Sequence, residues 1–492
     1  MKSYQHLKEI FQQLAHLRHV SSICHWDEAV MMPSGGGQAR AEALATLHTL
    51  QHKLLTDPQV KNSLEEAKKA TLTSVWDQAN LKWMEDEYLK ASCLPADLVQ
   101  RSQLAFIRCE QAWRSLRAEN NWRDFLPLLT ENVRLVREAA HIKADVFKIS
   151  PYDSLIDDYS PGLSQKIIDP VFARLKEFLP GFIKKVMAEQ EKPLSISGHF
   201  PIEKQKQLGS QLMRIIGFDF NHGRLDVSHH PFCGGVPQDV RITTRYNESE
   251  WVSASMGICH ETGHALYERG LPAEWLDQPV GTALGMALHE SQSLLIEMQA
   301  CRSREFIGFL STLVEEYLGH HPHFSAENLH RYYTYVNPGL IRVDADEVCY
   351  PLHVILRYEI EKKLIAGEVS CEDLPDLWYE SMQNFFGLGT REDYCNGVMQ
   401  DVHWPSGAFG YFPAYSFGSI IAAQLFQTAI KRHNAIIPEL SQGNFKTLVQ
   451  WLRDNIHSRG RLLSMNDLLV QATGQPLSAD YFMNHLQTRY LR

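Results

Sequence analysis

Apolar residues at Leu7, Ile10, Phe11, Leu14 and Leu17 recur at spacings of three and four, the period of a helix with one buried face. Charged, amphipathic stretches of the same kind run from Gln103 to Ala118 and from Trp122 to Phe147, so helix is the expectation from residue 1 to about 190. Asp169-Pro170 reads as an N-cap and a first-position proline opening a helix towards Met187, and Gly198 to Glu203 reads as a turn. One stretch carries a strong strand pattern. Val240-Arg241-Ile242-Thr243-Thr244-Arg245-Tyr246 alternates and is β-branched, with Cys233-Gly234-Gly235-Val236-Pro237 as turn chemistry before it. A short strand is expected there, with an edge to which an extended peptide could pair. Apolar residues at 256, 258, 259, 265 and 266, without proline, predict a buried helix through His260 to His264. Leu288 to Glu297 predicts a second helix after the Pro272 to Gly285 connection. The pattern describes a mainly α protein with a small sheet. No internal repeat, low-complexity segment or linker divides it, so one unit over 1–492 is expected, with a helical region to about 200 and a second region over about 201–492.

Composition changes this picture little. With 44% hydrophobic and 22% charged residues, 492 residues suffice for a large core. A net charge of -10 without any concentrated Lys/Arg run argues against nucleic acid or an anionic membrane as partner. Nine cysteines, an odd number with no C-x-x-C pair, read as scattered buried thiols in a reducing compartment. The first residues carry no signal-like apolar run, and no stretch reaches the ~18 apolar residues of a membrane span. A cytoplasmic protein is expected.

The chemistry concentrates in His260-Glu261-Thr262-Gly263-His264. Helical residues four apart sit one above the other, so both imidazoles can converge on one zinc ion, with Glu261 placed to take a proton from a water at the ion's open position. A third ligand must come from elsewhere. Glu268 shares the helix face but stands roughly 12 Å along the axis from His260. Glu290 on the following helix is the preferred ligand, with His289 and Glu297 as competitors. Cys259 diverges from His260 by about 100° and reads as a small core residue.

Beyond the zinc motif, the chain carries His230-Pro231-Phe232, Asp239-Val240-Arg241-Ile242-Thr243, His289-Glu290-Ser291-Gln292, Ile341-Arg342-Val343-Asp344-Ala345-Asp346 and Gly397-Val398-Met399-Gln400-Asp401-Val402-His403-Trp404. With these segments in this order, it resembles the carboxypeptidase Taq family of metallocarboxypeptidases. Trp26-Asp27, Met32-Pro33, Gly36-Gly37 and Ala39-Arg40 extend the resemblance over essentially the whole chain. The resemblance implies a helical zincin-like enzyme with a deep substrate groove, releasing single residues from peptide C-termini. It also implies a homodimer, substrate contacts at His230 and in the segment of Asp239 and Arg241, and zinc, with cobalt or manganese as alternatives.

Capture of a free C-terminus calls for a guanidinium, which holds a carboxylate through two charge-assisted hydrogen bonds. Arg342 resembles the family's groove arginine; Arg241 is its rival, and a structural pair between Arg342 and Asp344 or Asp346 is the plainer alternative. His403, Tyr411 and Tyr415 are candidate donors to the oxyanion formed by attack on the carbonyl, with Gly407, Gly410 and Gly418 letting their loop bend. Between the tyrosines the sequence does not choose. An endopeptidase of the same helical class, or a non-catalytic metal- or peptide-binding protein, are the alternative functions.

Overall fold

The computed structural model describes residues 2–491, and its architecture follows the helical periodicity. The N-terminal stripe forms the helix Lys2–Val30, burying Leu7, Ile10, Phe11 and Leu14 against Pro58–Ala67 and Val75–Ser92 in a small core of its own. A far larger core runs from Cys109 to Leu486 and takes in the helices on which the candidate site stands. Gln103 to Ala118 lies within Ala96–Ala118, and Trp122–Phe147 is one helix.

Three strands form one sheet: β1 Gly223–Val227, β2 Cys233–Val236 and β3 Asp239–Thr244, in the order β1-β3-β2. β3 pairs parallel with β1 and antiparallel with β2. Two expectations are corrected here. Cys233 to Val236 is strand rather than turn, because Val236 pairs with Asp239 and leaves only Pro237 and Gln238 to reverse the chain. The glycines permit this pairing: at Gly235, φ is +89° and a Cβ would lie 2.0 Å from the Asp239 carbonyl oxygen. β3 is also the central strand, so it has no free edge for a peptide. The outer side of β2 is occupied at Gly235, whose N–H donates to Ser22 Oγ and whose carbonyl accepts from it.

Asp169-Pro170 does not open a helix. The helix Gln165–Glu189 starts after Ser164 and carries Pro170 inside it. Asp169 instead accepts hydrogen bonds from Tyr358 and Lys362, a tertiary use that residue order could not announce.

Val240 and Ile242 of β3 pack with Ile258 and Ala265 of the motif helix Val252–Gly270. That helix lies on Met286–Leu294, which continues as a π-helix over Leu295–Cys301. Gly263 sets the approach, since a Cβ there would lie 2.6 Å from both the Gln292 carbonyl oxygen and Ser293 Cα. The helix Pro413–Arg432 covers Met286–Leu294 from another side. Among the described residues no helix is long and apolar enough to cross a membrane.

Candidate active site

Ligand atoms of His260, His264 and Glu290 all lie within 4.8 Å of one another. Glu290 Oε2 stands 3.9 Å from His260 Nε2 and 3.5 Å from His264 Nε2. Two nitrogens and one carboxylate oxygen form a donor set suited to zinc and similar divalent ions. The competitors for third ligand occupy the far sides of the rings. Glu297 Oε2 lies 2.9 Å from His260 Nδ1 and its other oxygen accepts from Arg302, while His289 touches His264 Nδ1.

Glu261 is 6% exposed and its Oε2 is buried without a hydrogen-bond partner. An orphaned buried carboxylate oxygen is costly, and beside this cluster it suits a site that receives a cation and a water. Burial, with Glu290 and Glu297 nearby, raises the Glu261 carboxyl to about 7 against the lowering effect of His260 and His289. At His260 burial favours the neutral ring, but the surrounding carboxylates Glu290, Glu261 and Glu297 raise it to about 10. His264 moves the other way, lowered by burial and by its histidine neighbours. The pocket is electrostatically prepared for positive charge.

The loop that carries His403 and Tyr411 leads into the helix Pro413–Arg432, and the hydroxyls of Tyr411 and Tyr415 feel the charge of Glu290. His403 Nε2 lies 3.1 Å from the Tyr415 hydroxyl, its ring rests on Phe412, and burial lowers it to about 4. A buried carboxylate anchors this loop. Glu361 accepts from Trp404 Nε1 at 2.8 Å, Gly410 N at 2.9 Å and the Tyr152 hydroxyl at 2.7 Å. Gly410 is at φ +85°, and a Cβ would meet the Leu155–Ile156 backbone at 2.6 to 2.8 Å, so the bend admits only glycine. Gly418 does not bend the loop. It lies inside the helix Pro413–Arg432.

Arg342 is 5% exposed and its partner is Asp401, not Asp344 or Asp346. Its Nε and Nη2 donate to Asp401 Oδ1 at 3.0 and 2.8 Å, and Nη1 donates to the Tyr350 hydroxyl. Arg357 holds the other oxygen of Asp401 at 2.6 Å. Although burial raises the Asp401 carboxyl, the two guanidiniums hold it well below the usual range. Two cations on one anion leave a net positive charge, and Arg357 is fully buried, so Arg342 is the outer member.

The sequence matches a known family: residues 6–490 fit the model described as carboxypeptidase Taq (M32) metallopeptidase. The chain belongs to this family. It is 36% identical over 504 aligned residues to thermostable carboxypeptidase 1 of Thermus thermophilus, covering 99% of this chain and 98% of that one. Identity to carboxypeptidase 1 of Bacillus subtilis is 32% over 508 residues, covering 100% and 99%. The solved structure of Trypanosoma cruzi metallocarboxypeptidase 1 superposes with a TM-score of 0.98 at 39% identity, with both chains fully covered. This M32 chain is therefore a metallocarboxypeptidase, a metal-dependent peptide hydrolase.

The M32 motifs do not all meet at the cluster. Arg241 and Asp239 pair with each other at 2.6 and 3.0 Å, and the guanidinium lies 4.3 Å from the Trp26 ring centre. They alternate along β3 with Val240 and Ile242, which face the motif helix, so both point to the opposite side of the sheet. His230 is exposed in the β1–β2 loop, edge-on to His229. Sequence reading missed Tyr350, which bonds Arg342 and feels the charge of Glu290, and Glu361. Tyr350 had no signal. For Glu361 there was one: His353, Arg357 and Glu361 recur every four residues and are all fully buried, a polar row on a core-facing helix.

Proposed function

We propose that His260, His264 and Glu290 hold a zinc ion, cobalt or manganese being the alternatives, and that the enzyme removes single residues from the free C-termini of peptides with broad specificity. The observation that carries this reading is the orphaned Glu261 Oε2 beside three converging ligand atoms. When bound, the ion supplies Lewis acidity to the scissile carbonyl and to water. Glu261 takes the proton of the attacking water and passes it to the leaving amine nitrogen, a role to which its raised pKa of about 7 is matched. His403, kept neutral by burial, and the hydroxyls of Tyr411 and Tyr415 donate to the developing oxyanion.

Arg342 anchors the terminal carboxylate through the positive charge left over by its sharing of Asp401 with Arg357. Arg241 and Asp239 act further from the bond cut, where Trp26 of the N-terminal helix meets the sheet, and His230 acts from the exposed β1–β2 loop. A cytoplasmic setting is supported by the nine free cysteines. The homodimer rests on the family resemblance.

Incubating unmodified peptides with the metal-loaded protein and following products by mass spectrometry tests the reading. Stepwise loss of residues from the C-terminus is expected. Cleavage at internal bonds would replace it with the endopeptidase alternative, and no cleavage with a non-catalytic role.

A further inference from the structure

His264 is backed by a second histidine and a carboxylate in line. Its Nδ1 lies 2.6 Å from His289 Nδ1, and His289 Nε2 lies 2.8 Å from Glu268 Oε1. At that separation one of the two Nδ1 atoms must carry the proton and the other must offer its lone pair. Glu268 decides which. An ionised carboxylate only accepts, so it draws the His289 proton to Nε2 and leaves His289 Nδ1 as an acceptor. His264 must then donate from Nδ1, which frees the lone pair of Nε2, the atom 3.5 Å from Glu290 Oε2. With the opposite polarity, His289 would donate from Nδ1, His264 would carry its proton on Nε2, and the ligand position would be blocked.

We infer that Glu268 and His289 are positioning residues that set the tautomer and ring orientation of His264 for metal binding. This rests on the proposal that His264 is a metal ligand. The two motif histidines are oriented differently: His260 by the Glu297 carboxylate directly, His264 through an intervening imidazole. Helix geometry explains the intermediate. Glu268 follows His264 by one turn on the same face, and His289, reaching in from the next helix, bridges the gap between carboxylate and ring. The far end of the relay is accessible. Glu268 lines a cavity of about 350 Å³ with Arg18, His19 and Gln278, and none of the three metal-cluster residues lines it. Changes at Glu268 thus touch a cavity wall rather than the packing around the cluster.

The test is the zinc dissociation constant from chelator competition, measured on the full chain for wild type, Glu268→Leu, Glu268→Gln, His289→Leu and His264→Ala. Glu268→Leu and His289→Leu are expected to weaken zinc binding roughly 10- to 100-fold, the usual effect of removing a partner behind a metal histidine. Glu268→Gln should lose less than Glu268→Leu, because its amide oxygen can still accept the His289 Nε2 proton although the amide no longer forbids the opposite polarity. Wild-type affinity in Glu268→Leu, or a loss in Glu268→Gln as large as in Glu268→Leu, overturns the inference. The Glu268 pair decides the matter even where His289→Leu does not fold. His264→Ala separates the two layers: if it keeps full zinc affinity, the metal site lies elsewhere, whereas if it loses zinc while Glu268→Leu does not, only the relay falls.

Discussion

Gly418 stands directly against Glu290: a Cβ added to the glycine would lie 2.6 Å from Glu290 Cγ and 2.8 Å from its Cβ. The third candidate ligand is thus held in place by the absence of a side chain on the covering helix. Gly418→Ala must displace the stem of Glu290, and zinc affinity is expected to fall at least roughly tenfold, in the range seen when the support of a ligand is lost. Gly257→Ala is the control, on the motif helix but with open space at its Cβ; it should bind zinc as wild type does and unfold no earlier. Equal zinc affinity in both variants would show that Glu290 is not held by this contact.

Glu261→Gln keeps the shape of the side chain and removes the base. Zinc content by elemental analysis should match wild type, while kcat falls at least about a hundredfold. Retention of most turnover would remove Glu261 from the mechanism.

Amidating the substrate C-terminus replaces an anion with a neutral group opposite Arg342. Cleavage should drop by roughly ten- to a hundredfold in kcat/KM, from a charge-assisted pair worth on the order of 1.5–3 kcal/mol. Arg342→Ala should narrow the gap between free and amidated peptides, and Arg241→Ala should leave it. If Arg241→Ala alone narrows it, the anchor is on the sheet.

Glu361 gives stability a defined pH dependence. Burial raises its carboxyl to about 7 despite the donors Tyr152, Gly410 and Trp404, from an ordinary value of 4.5. The folded state therefore holds the proton more tightly than the unfolded chain, so the favourable contribution is complete below pH 4.5 and is lost as pH rises towards 7. Glu361→Gln should remove a fall of very roughly 3 kcal/mol over that window, read by denaturant unfolding of the zinc-loaded protein at pH 5 and pH 7.5. Identical slopes for wild type and variant would contradict it.

Local periodicity was enough to read most of the helices, the motif helix and the juxtaposition of His260 with His264, because i, i+4 spacing and apolar flanks act over one or two turns; Glu290, on the next helix, was one of three candidates until the structure brought it beside them. It was not enough for partners set by tertiary packing. Asp169 looked like a cap and is a surface partner of Tyr358 and Lys362; the paired glycines 234 and 235 looked like a turn and are strand. The alternative partners weighed for Arg342 were Asp344 and Asp346, close in sequence, yet it meets Asp401, 59 residues away. His289 and Glu268 were weighed only as ligands, since nothing in their spacing shows that one stands behind the other.

The π-helical run Leu295–Cys301 follows the helix of Glu290 and includes Glu297, and it brings these two carboxylates to opposite nitrogens of the same His260 ring. A π turn holds one residue more than the α turn it replaces, so this stretch is a length standard as well as a scaffold. Losing a single residue between Leu295 and Glu297 would change the angle between Glu290 and Glu297 about the helix axis and take Glu297 out of register with the histidine. Along this segment the chain tolerates a change of side chain far better than a change of count, and insertions or deletions there should be excluded from any functional descendant of this enzyme.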